Sequence, residues 1–429
     1  MKSKMTIIII LALITKLLLL FNLNKDLKMN VDEEVNYQIA SNNHNGNGHT
    51  IYDDDKKQFK QTAFHGLFPI LTYEFLIKNE IKKETWVIFI YLFSIILFAL
   101  SINYFYKICL LYFESEKYAL YSTITYCLYP SILFYIGTLF SYENFVLSLL
   151  VIIIFKLLRA IKNGFIKTDY FVIPLAVSLS CLFRSQTIVI YFFIFSVYIF
   201  SSLSKKSYSR IPLLILTIVF TFLCHVPILL ENKKIWGEYI LSTQSGFELL
   251  QGHNPIARGS WINNWTKPDN DLYKYAHSQI KNINELNELQ ESEARQQISI
   301  KWIKENPICE IILDIRKVGI YFLPQNYEVL YGSRIYNPIN LIIHALFFCF
   351  IFLQLYKKII TQNDLILLSP IVGSIILSVV FFVGYRWRYY AEPFMIIFAW
   401  QLILLFKKKY ERNKMASFYN SPSISDSGQ

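Results

Sequence analysis

The chain has 429 residues, of which 54% are hydrophobic and 17% aromatic but only 17% charged, with a formal net charge of +11. So apolar a composition excludes an ordinary soluble domain and points to an all-α polytopic membrane protein. The positive balance is a signal of topology and of contact with anionic membrane lipid, and it gives no support to nucleic-acid binding.

A helix needs roughly 17 to 25 apolar residues to cross a bilayer core of about 30 Å, and about ten such runs are present, within limits of about eight and twelve. They are Met5–Leu23, Thr85–Tyr106, Tyr118–Phe140, Asn144–Leu158, Tyr170–Phe183, Gln186–Ser201, Ile211–Leu230, Pro338–Leu355, Leu365–Gly384 and Pro393–Phe406. The fifth and sixth are short, as tilted or re-entrant helices are. The implied organisation is a first transmembrane helix (1–23), a first outer loop (24–84), a transmembrane bundle (85–230), a large outer loop (231–337), C-terminal transmembrane helices (338–406) and a basic tail (407–429).

Orientation follows from the short connections, because cytoplasmic loops carry the excess of Lys and Arg. With the N-terminus inside, the inner side receives Lys2 and Lys4, Lys107 and Lys117, then Lys156, Arg159, Lys162 and Lys167. Lys205, Lys206, Arg210, Lys357, Lys358 and the tail "KKKYERNK" follow on the same side. The first run is long and lacks a small-residue cleavage pattern after it, so it reads as a retained anchor rather than a signal peptide. Cys109, Cys127, Cys181, Cys224 and Cys349 lie in or beside apolar spans and only Cys309 in an outer segment, so the outer loops contain no disulfide framework. There is no P-loop, CxxC pair, HExxH or internal repeat.

The first outer loop opens with "VDEEVNYQIASNNHNGNGHTIYDDD", three acids followed by a glycine- and asparagine-rich turn, directly at the membrane face. A carboxylate at that depth can reach the phosphate–sugar bond of a lipid carrier, and general-base assistance to an attacking hydroxyl is typically worth about 10²- to 10⁴-fold in rate. The competing interpretation is a solvated flank. For "DDD" at Asp53 to Asp55, three adjacent acids in a polar loop, the solvated interpretation is preferred.

"DEEVNYQIASNNHNGNG" resembles the first outer loop of the polyprenyl-phosphate-sugar-dependent glycosyltransferases of the GT-C superfamily, which include dolichyl-phosphate-mannose protein mannosyltransferases and bacterial aminoarabinose transferases of lipid A. "HGLFPILTYEFL", "YPSILFYIGTLFSYENF", "FRSQ", "STQSGFELLQGHNPIARGSW", "ISIKWIKENPICEIILDIRKVGIYFLP" and "YRWRYYAEPFMIIFAW" follow in family order over nearly the whole chain. The resemblance implies a GT-C fold whose outer loops carry interfacial helices. It also implies a polyprenyl-phosphate-linked sugar donor, a glycan, lipid or protein acceptor, and inversion at the anomeric carbon. By matching position Asp32 is the base that deprotonates the acceptor, and Glu33 the second acid, orienting the acceptor or sharing a metal. Glu34 has no counterpart in the pattern and is a candidate for the acceptor or for a metal. His253 stands where the family segment often has Asn, and is a candidate ligand for a divalent metal, whose requirement is open; His65 and His49 rank below it.

Arg386 and Arg388 in "YRWRYY" lie two residues apart among aromatics at the outer end of the ninth span. Guanidinium forks match a phosphate bidentately, whereas interface anchoring explains the aromatics but not the arginines, so the pair is assigned to the donor phosphate. Arg184 lies at the outer end of the fifth span and needs a partner there, either that phosphate or Glu143. Glu143 is a candidate for the acceptor or for a metal, or alternatively an acid favoured by the N-terminal dipole of its own helix.

The activity expected is a membrane glycosyltransferase working at the outer face, the cytoplasmic membrane if the chain is bacterial. The rivals are an O-antigen polymerase or ligase, a GPI-type mannosyltransferase, and a lipid or glycan flippase. A flippase would place its ionisable residues near mid-membrane rather than in the outer loops.

Overall fold

The computed structural model describes residues 2–23, 31–53, 57–137, 142–203, 211–262, 266–323 and 333–419. Asp54, Asp55, the 324–332 junction and the 420–429 end of the tail lie outside the described residues. The architecture is α-helical, with one small hairpin.

From the N-terminus, α1 (Lys2–Leu23) leads to an outer segment of α2 (Val31–His44), β1 (Thr50–Asp53), β2 (Gln58–Gln61) and α3 (Leu67–Lys78). Gly46 and Gly48 take positive φ (84° and 72°), which turns the chain between α2 and β1, and the strands pair antiparallel with Thr50 opposite Gln61. The hairpin is an addition to the expected all-helical loop.

The bundle follows as α4 (Lys83–Phe113), α5 (Glu116–Leu128), α6 (Pro130–Gly137), α7 (Glu143–Asn163), α8 (Asp169–Phe183), α9 (Thr187–Leu203) and α10 (Ile211–Trp236). The third apolar run is not one helix. Pro130 has no N–H to give and drives the preceding residue out of helical geometry, so Tyr129 is extended (φ −65°, ψ 127°) and the helix restarts at the proline. The second outer segment holds α11 (Gln244–Gly252), α12 (Asp271–Gln279), α13 (Glu288–Glu305) and α14 (Pro307–Phe322); α15 (Ser333–Lys357), α16 (Gln362–Val380), α17 (Tyr385–Tyr389) and α18 (Glu392–Tyr419) complete the chain. The ninth run therefore ends as a helix at Val380, and "YRWRYY" forms a short helix of its own.

Among the described residues, α4, α7, α10, the Pro338–Lys357 part of α15, and α16 are long and apolar enough to cross a membrane. Thr6–Leu18 of α1, Asp169–Phe183 and Thr187–Ser201 are shorter apolar helices, matching the short fifth and sixth runs. The outward face of α10 leaves Ile215, Ile218, Phe222 and Leu223 exposed, a surface that only an apolar surrounding would satisfy. On α14, Ile308, Ile311, Ile312 and Ile315 form an exposed stripe at helical spacing, while Glu310, Leu313, Lys317 and Tyr321 face the protein.

Two apolar clusters position the site. Ile39 and Ala40 of α2 pack with Leu67, Ile70 and Tyr73 of α3 against Val87 and Tyr91 of α4, Phe145 of α7 and Ile228 of α10. The outer segment is thereby fastened to the helix ends. The larger core holds α16, α17 and α18 against the bundle through residues such as Ile190, Ile371, Trp387 and Phe394.

The second outer segment is fastened by backbone contact. Val383 N donates to Gly259 O (2.8 Å), and Ser260 bridges Val383 in parallel fashion. Gly252, the last residue of α11, lies so close to the end of α16 that a Cβ would fall inside the Phe381 carbonyl. A Gly252→Ala substitution forces one backbone off the other, and overpacking of this kind costs about 1 to 3 kcal/mol. It should lower the thermal unfolding midpoint of the purified protein, and an unchanged midpoint would show that α11 is not pressed on α16.

Candidate active site

The three acids of the first loop occupy the first turn of α2. Successive helical residues point about 100° apart, so three neighbours cannot share a surface. Asp32 faces an open cleft that Arg184, Gln186 and Gln244 also line. Glu33 turns inward, 1% exposed, and accepts a hydrogen bond from Tyr73 Oη (2.7 Å). Glu34 turns outward and pairs with Lys83 Nζ (2.6 Å).

Asp32 meets two arginines. Its Oδ2 lies 2.7 Å from Arg386 Nη1 and 3.7 Å from Arg184 Nη2, with the carboxylate still 30% exposed. Arg184 Nη2 is held in turn by Glu143 Oε1 at 2.7 Å, and the same oxygen is 4.0 Å from Arg386 Nη1. The sequence left Arg184 a choice between phosphate and Glu143. Glu143 is its partner here, and the first residue of α7, where the helix dipole also favours an acid.

The supports for these four groups are aromatic and polar. Arg184 is the extended residue that ends α8, preceded by Phe183, whose ring packs on Phe68, Tyr142 and Phe145 (centroids 5.1, 5.0 and 5.4 Å). Tyr389 Oη donates to Asn144 Oδ1 (2.8 Å), which ties α17 to the start of α7 and so brings Arg386 beside Glu143. At the other end of α7, Lys156 pairs with Asp169 (2.9 Å) and Arg159 contacts the same acid. Thirteen helical residues at about 1.5 Å each put this basic end about 20 Å from Glu143.

Arg388 does not join Arg386. Residues i and i+2 of a helix point roughly 200° apart, and α17 is helical, so the expected two-armed fork is split. Arg388 is 1% exposed; its Nε donates to Glu392 Oε1 (3.1 Å) and its Nη1 to the carbonyls of Tyr321 (3.0 Å) and Leu323 (2.7 Å).

The environment separates the acids in strength. Burial opposes ionisation of Asp32, but Arg386, then Arg184 and His65, overrule it and hold the carboxyl well below the usual carboxylate range. Burial pushes Glu33 up to about 8, against hydrogen bonds from Tyr73 and Tyr142 and the charge of Arg184. One neighbour is thus an anion at neutral pH and the other a neutral acid. His65 also lines the cleft; burial and the two arginines lower its pKa while Asp32 raises it.

Glu248 of α11 is the group that the sequence did not single out. It is 5% exposed, and burial pushes it up to about 7 although Gln186, Arg184 and Arg386 favour the anion. It accepts from Gln244 Nε2 (2.8 Å) and Gln186 Nε2 (3.4 Å), two residues that line the cleft. Its only sequence signal was an acid inside an apolar helical turn, "FELL".

His253 lies elsewhere, buried in contact with Glu310, Lys317 and the Val380 carbonyl (2.5, 3.2 and 2.7 Å). His253, Glu310 and Asp314 bring ligand atoms within 4.8 Å of one another, a spacing a metal ion could bridge. Lys317 Nζ already stands among them, 3.3 Å from Asp314 and 4.0 Å from Glu310, and donates to Val379 O. An ammonium and a divalent ion repel, so this donor set does not fit a metal while Lys317 is in place. Nor does His253 share a site with the acids of the first loop. His49 pairs with Glu74 (2.6 Å), away from the cleft.

No protein-family model matches this chain, and no curated relative does. Solved structures do. The archaeal oligosaccharyltransferase AglB from Archaeoglobus fulgidus, in complex with an inhibitory peptide and a dolichol-phosphate, is 12% identical with a TM-score of 0.50, over 98% of this chain and 52% of that one. The Archaeoglobus fulgidus oligosaccharyltransferase in complex with zinc and sulfate is 14% identical with a TM-score of 0.51, over 97% of this chain and 51% of that one. The chain spans about half the length of these enzymes. At such identity the likeness shows the fold alone, which this chain shares with about half the length of those oligosaccharyltransferases.

Proposed function

We propose that this protein is an integral-membrane glycosyltransferase that moves a monosaccharide from a polyprenyl-phosphate carrier to a hydroxyl of a glycan, lipid or protein acceptor at the outer membrane face. The observation that carries the reading is Asp32 and Arg184 in a cleft whose other wall is apolar, with Arg386 paired to Asp32. Leu67, Pro69, Leu182, Phe183 and Ile228 form that wall, beside the charged groups. A lipid phosphate has this same division, an anion joined to a hydrocarbon tail. The dolichol-phosphate bound to the archaeal enzyme of like fold supports the same donor class.

In the reaction, the acceptor oxygen attacks the anomeric carbon, the carbon–oxygen bond to the carrier phosphate breaks, and its electron pair stays on the phosphate. The acceptor proton passes to Asp32. Arg386 and Arg184 hold the phosphate alike before and during its departure. Glu33, neutral at pH 7, is a hydrogen-bonding acid beside the base, so it does not add a second negative charge against the phosphate. No step is assigned to a metal.

Asp32→Asn keeps the volume but cannot take the proton, so turnover should fall by about two to four orders of magnitude. Glu34→Gln disrupts only an exposed ion pair of the kind worth about 0 to 1 kcal/mol and should stay near wild type. Radiolabelled sugar transfer from a polyprenyl-phosphate donor measures both. A fully active Asp32→Asn enzyme would remove the reading's chemical centre.

The arginines should separate. Arg386→Ala loses charge-assisted hydrogen bonds worth about 1.5 to 3 kcal/mol, so KM for the donor should rise about 10- to 100-fold with kcat less affected. Arg388→Ala instead strands Glu392 in the core, a change that costs about 3 to 5 kcal/mol and should appear as lost folded protein. Equal effects of the two on KM, with both proteins folded, would return Arg388 to the donor site.

Glu33 predicts a pH dependence of stability. Its pKa is about 8 in the fold against an ordinary 4.5, so the unfolded chain releases the proton first. Its contribution is complete below about 4.5 and is lost as pH rises to about 8, flat beyond. Glu33→Gln should flatten that decline in melting temperature, leaving the part due to Glu248. A decline identical to wild type would mean that Glu33 is ionised in the fold.

A further inference from the structure

The cleft has a polar corner that the transfer chemistry leaves unused. Glu248 cannot reach the substrate directly, being buried, but each of its two oxygens accepts from one cleft-lining amide: Oε1 from Gln244 Nε2 at 2.8 Å and Oε2 from Gln186 Nε2 at 3.4 Å. An ionised carboxylate only accepts, so it fixes which way both amides face, nitrogen inward and oxygen away. Neither amide oxygen accepts a hydrogen bond from the described residues. Asn36, one helical turn after Asp32 on α2, lines the same cleft, and its Oδ1 is buried without a partner among the described residues. Gln186 and Gln244 thus offer two amide acceptors, since Asn36 Oδ1, like Glu248, is buried.

The position of Glu248 is imposed by the fold. Gln244 and Glu248 are i and i+4 on α11 and so share one face. That helix is pinned on both sides, for a Cβ on Gly246 would overlap the Ser292 backbone of α13 and one on Gly252 the Phe381 backbone at the end of α16. Gln186 follows Arg184 by two residues in the turn between α8 and α9, and Arg184, Ser185 and Gln186 line the cleft consecutively.

We propose that Glu248 orients Gln186 and Gln244 so that their amide oxygens form a subsite that reads the hydroxyl groups of the sugar on the lipid phosphate. Acceptor oxygens select ligands rich in O–H donors, and a polar group left unpaired in a site built for hydrogen bonds rejects the ligand that lacks it. The donor sugar rather than the acceptor is assigned because Gln186 adjoins Arg184, and the sugar is bonded directly to the phosphate that Arg184 would hold. The assignment rests on the donor class proposed above. Glu248 is a positioning residue.

The test is calorimetric titration of the purified full chain at pH 8, where Glu248 is ionised. The probes are undecaprenyl phosphate alone, the same lipid carrying glucose, mannose or galactose, and the free methyl hexosides. Wild-type protein should bind at least one sugar-bearing lipid about tenfold or more tightly than the bare lipid phosphate. Glu248→Gln and Gln186→Leu should each erase that preference while binding the bare lipid as wild type does. A merely structural role would weaken both lipids together. Equal affinity of wild type for all four lipids, or a preference kept in both variants, overturns the subsite. Methyl hexosides competing with a sugar-bearing lipid but sparing the bare one would leave the subsite intact, while methyl hexosides that bind alongside the sugar-bearing lipid would move it to the acceptor and overturn the donor assignment. Failure of bare lipid phosphate to bind would instead overturn the donor class itself, and the subsite with it.

Discussion

Asp32 and Glu143 face Arg184 and Arg386 across four chain segments: the first turn of α2, the first residue of α7, the residue that ends α8, and α17. None of these groups is adjacent to another in sequence. Each ion sits at or just beyond a helix end, where the backbone leaves apolar surroundings and charge is tolerated. Among the described residues the cluster sets two cations against two anions, a balance that favours its partial burial. At an effective dielectric of about 20, unit charges about 4 Å apart interact by about 4 kcal/mol, so an unbalanced member would be unstable there.

That constraint explains features elsewhere in the fold. The ring of Phe183 among Phe68, Tyr142 and Phe145 fixes the backbone that presents Arg184. The hydrogen bond from Tyr389 to Asn144 sets α17 on the start of α7. Gly252 and Gly259 let the second outer segment contact residues 381–383, immediately before Arg386. Glu33 and, in part, Glu248 stand neutral beside this cluster, because burial pushes both carboxyls up. Arg388 has its own partner, Glu392, and forms a separate balanced pair in the core.

Much of this was legible in the residues, for reasons that can be named. Spans show because twenty apolar residues have few other uses, and Asp32 was singled out by the resemblance of its loop, since acids at a membrane face are also explained as a solvated flank. The break at Pro130 was equally written in the sequence, yet hydropathy averages over it. The arginine pair was misread because spacing has meaning only once the local helix is known: two residues apart is one side of a strand and opposite sides of a helix. Glu248 and His65 were invisible or ranked low because each owes its place beside the cleft to long-range contacts, with Gln186 between α8 and α9 in one case and with Asp32 in the other. His253 invited a metal, and only the placement of Lys317, 64 residues on, spoke against one.

On the proposed reading, the same balance governs when the base can act. In the resting arrangement the arginines hold Asp32 as a stable anion with little appetite for a proton. A phosphate arriving between Arg184 and Arg386 adds negative charge to a set that was neutral. The guanidinium donors are then shared, and Asp32 loses part of what depressed its pKa. Its carboxylate becomes a stronger base only after the donor is seated. Uptake of the acceptor's proton removes the negative charge of Asp32 as a further one develops on the leaving phosphate, so the net charge of the site stays constant through the transfer. Binding of the donor and activation of the base are thus one electrostatic event, and an acceptor that arrives first meets a carboxylate still occupied by Arg386.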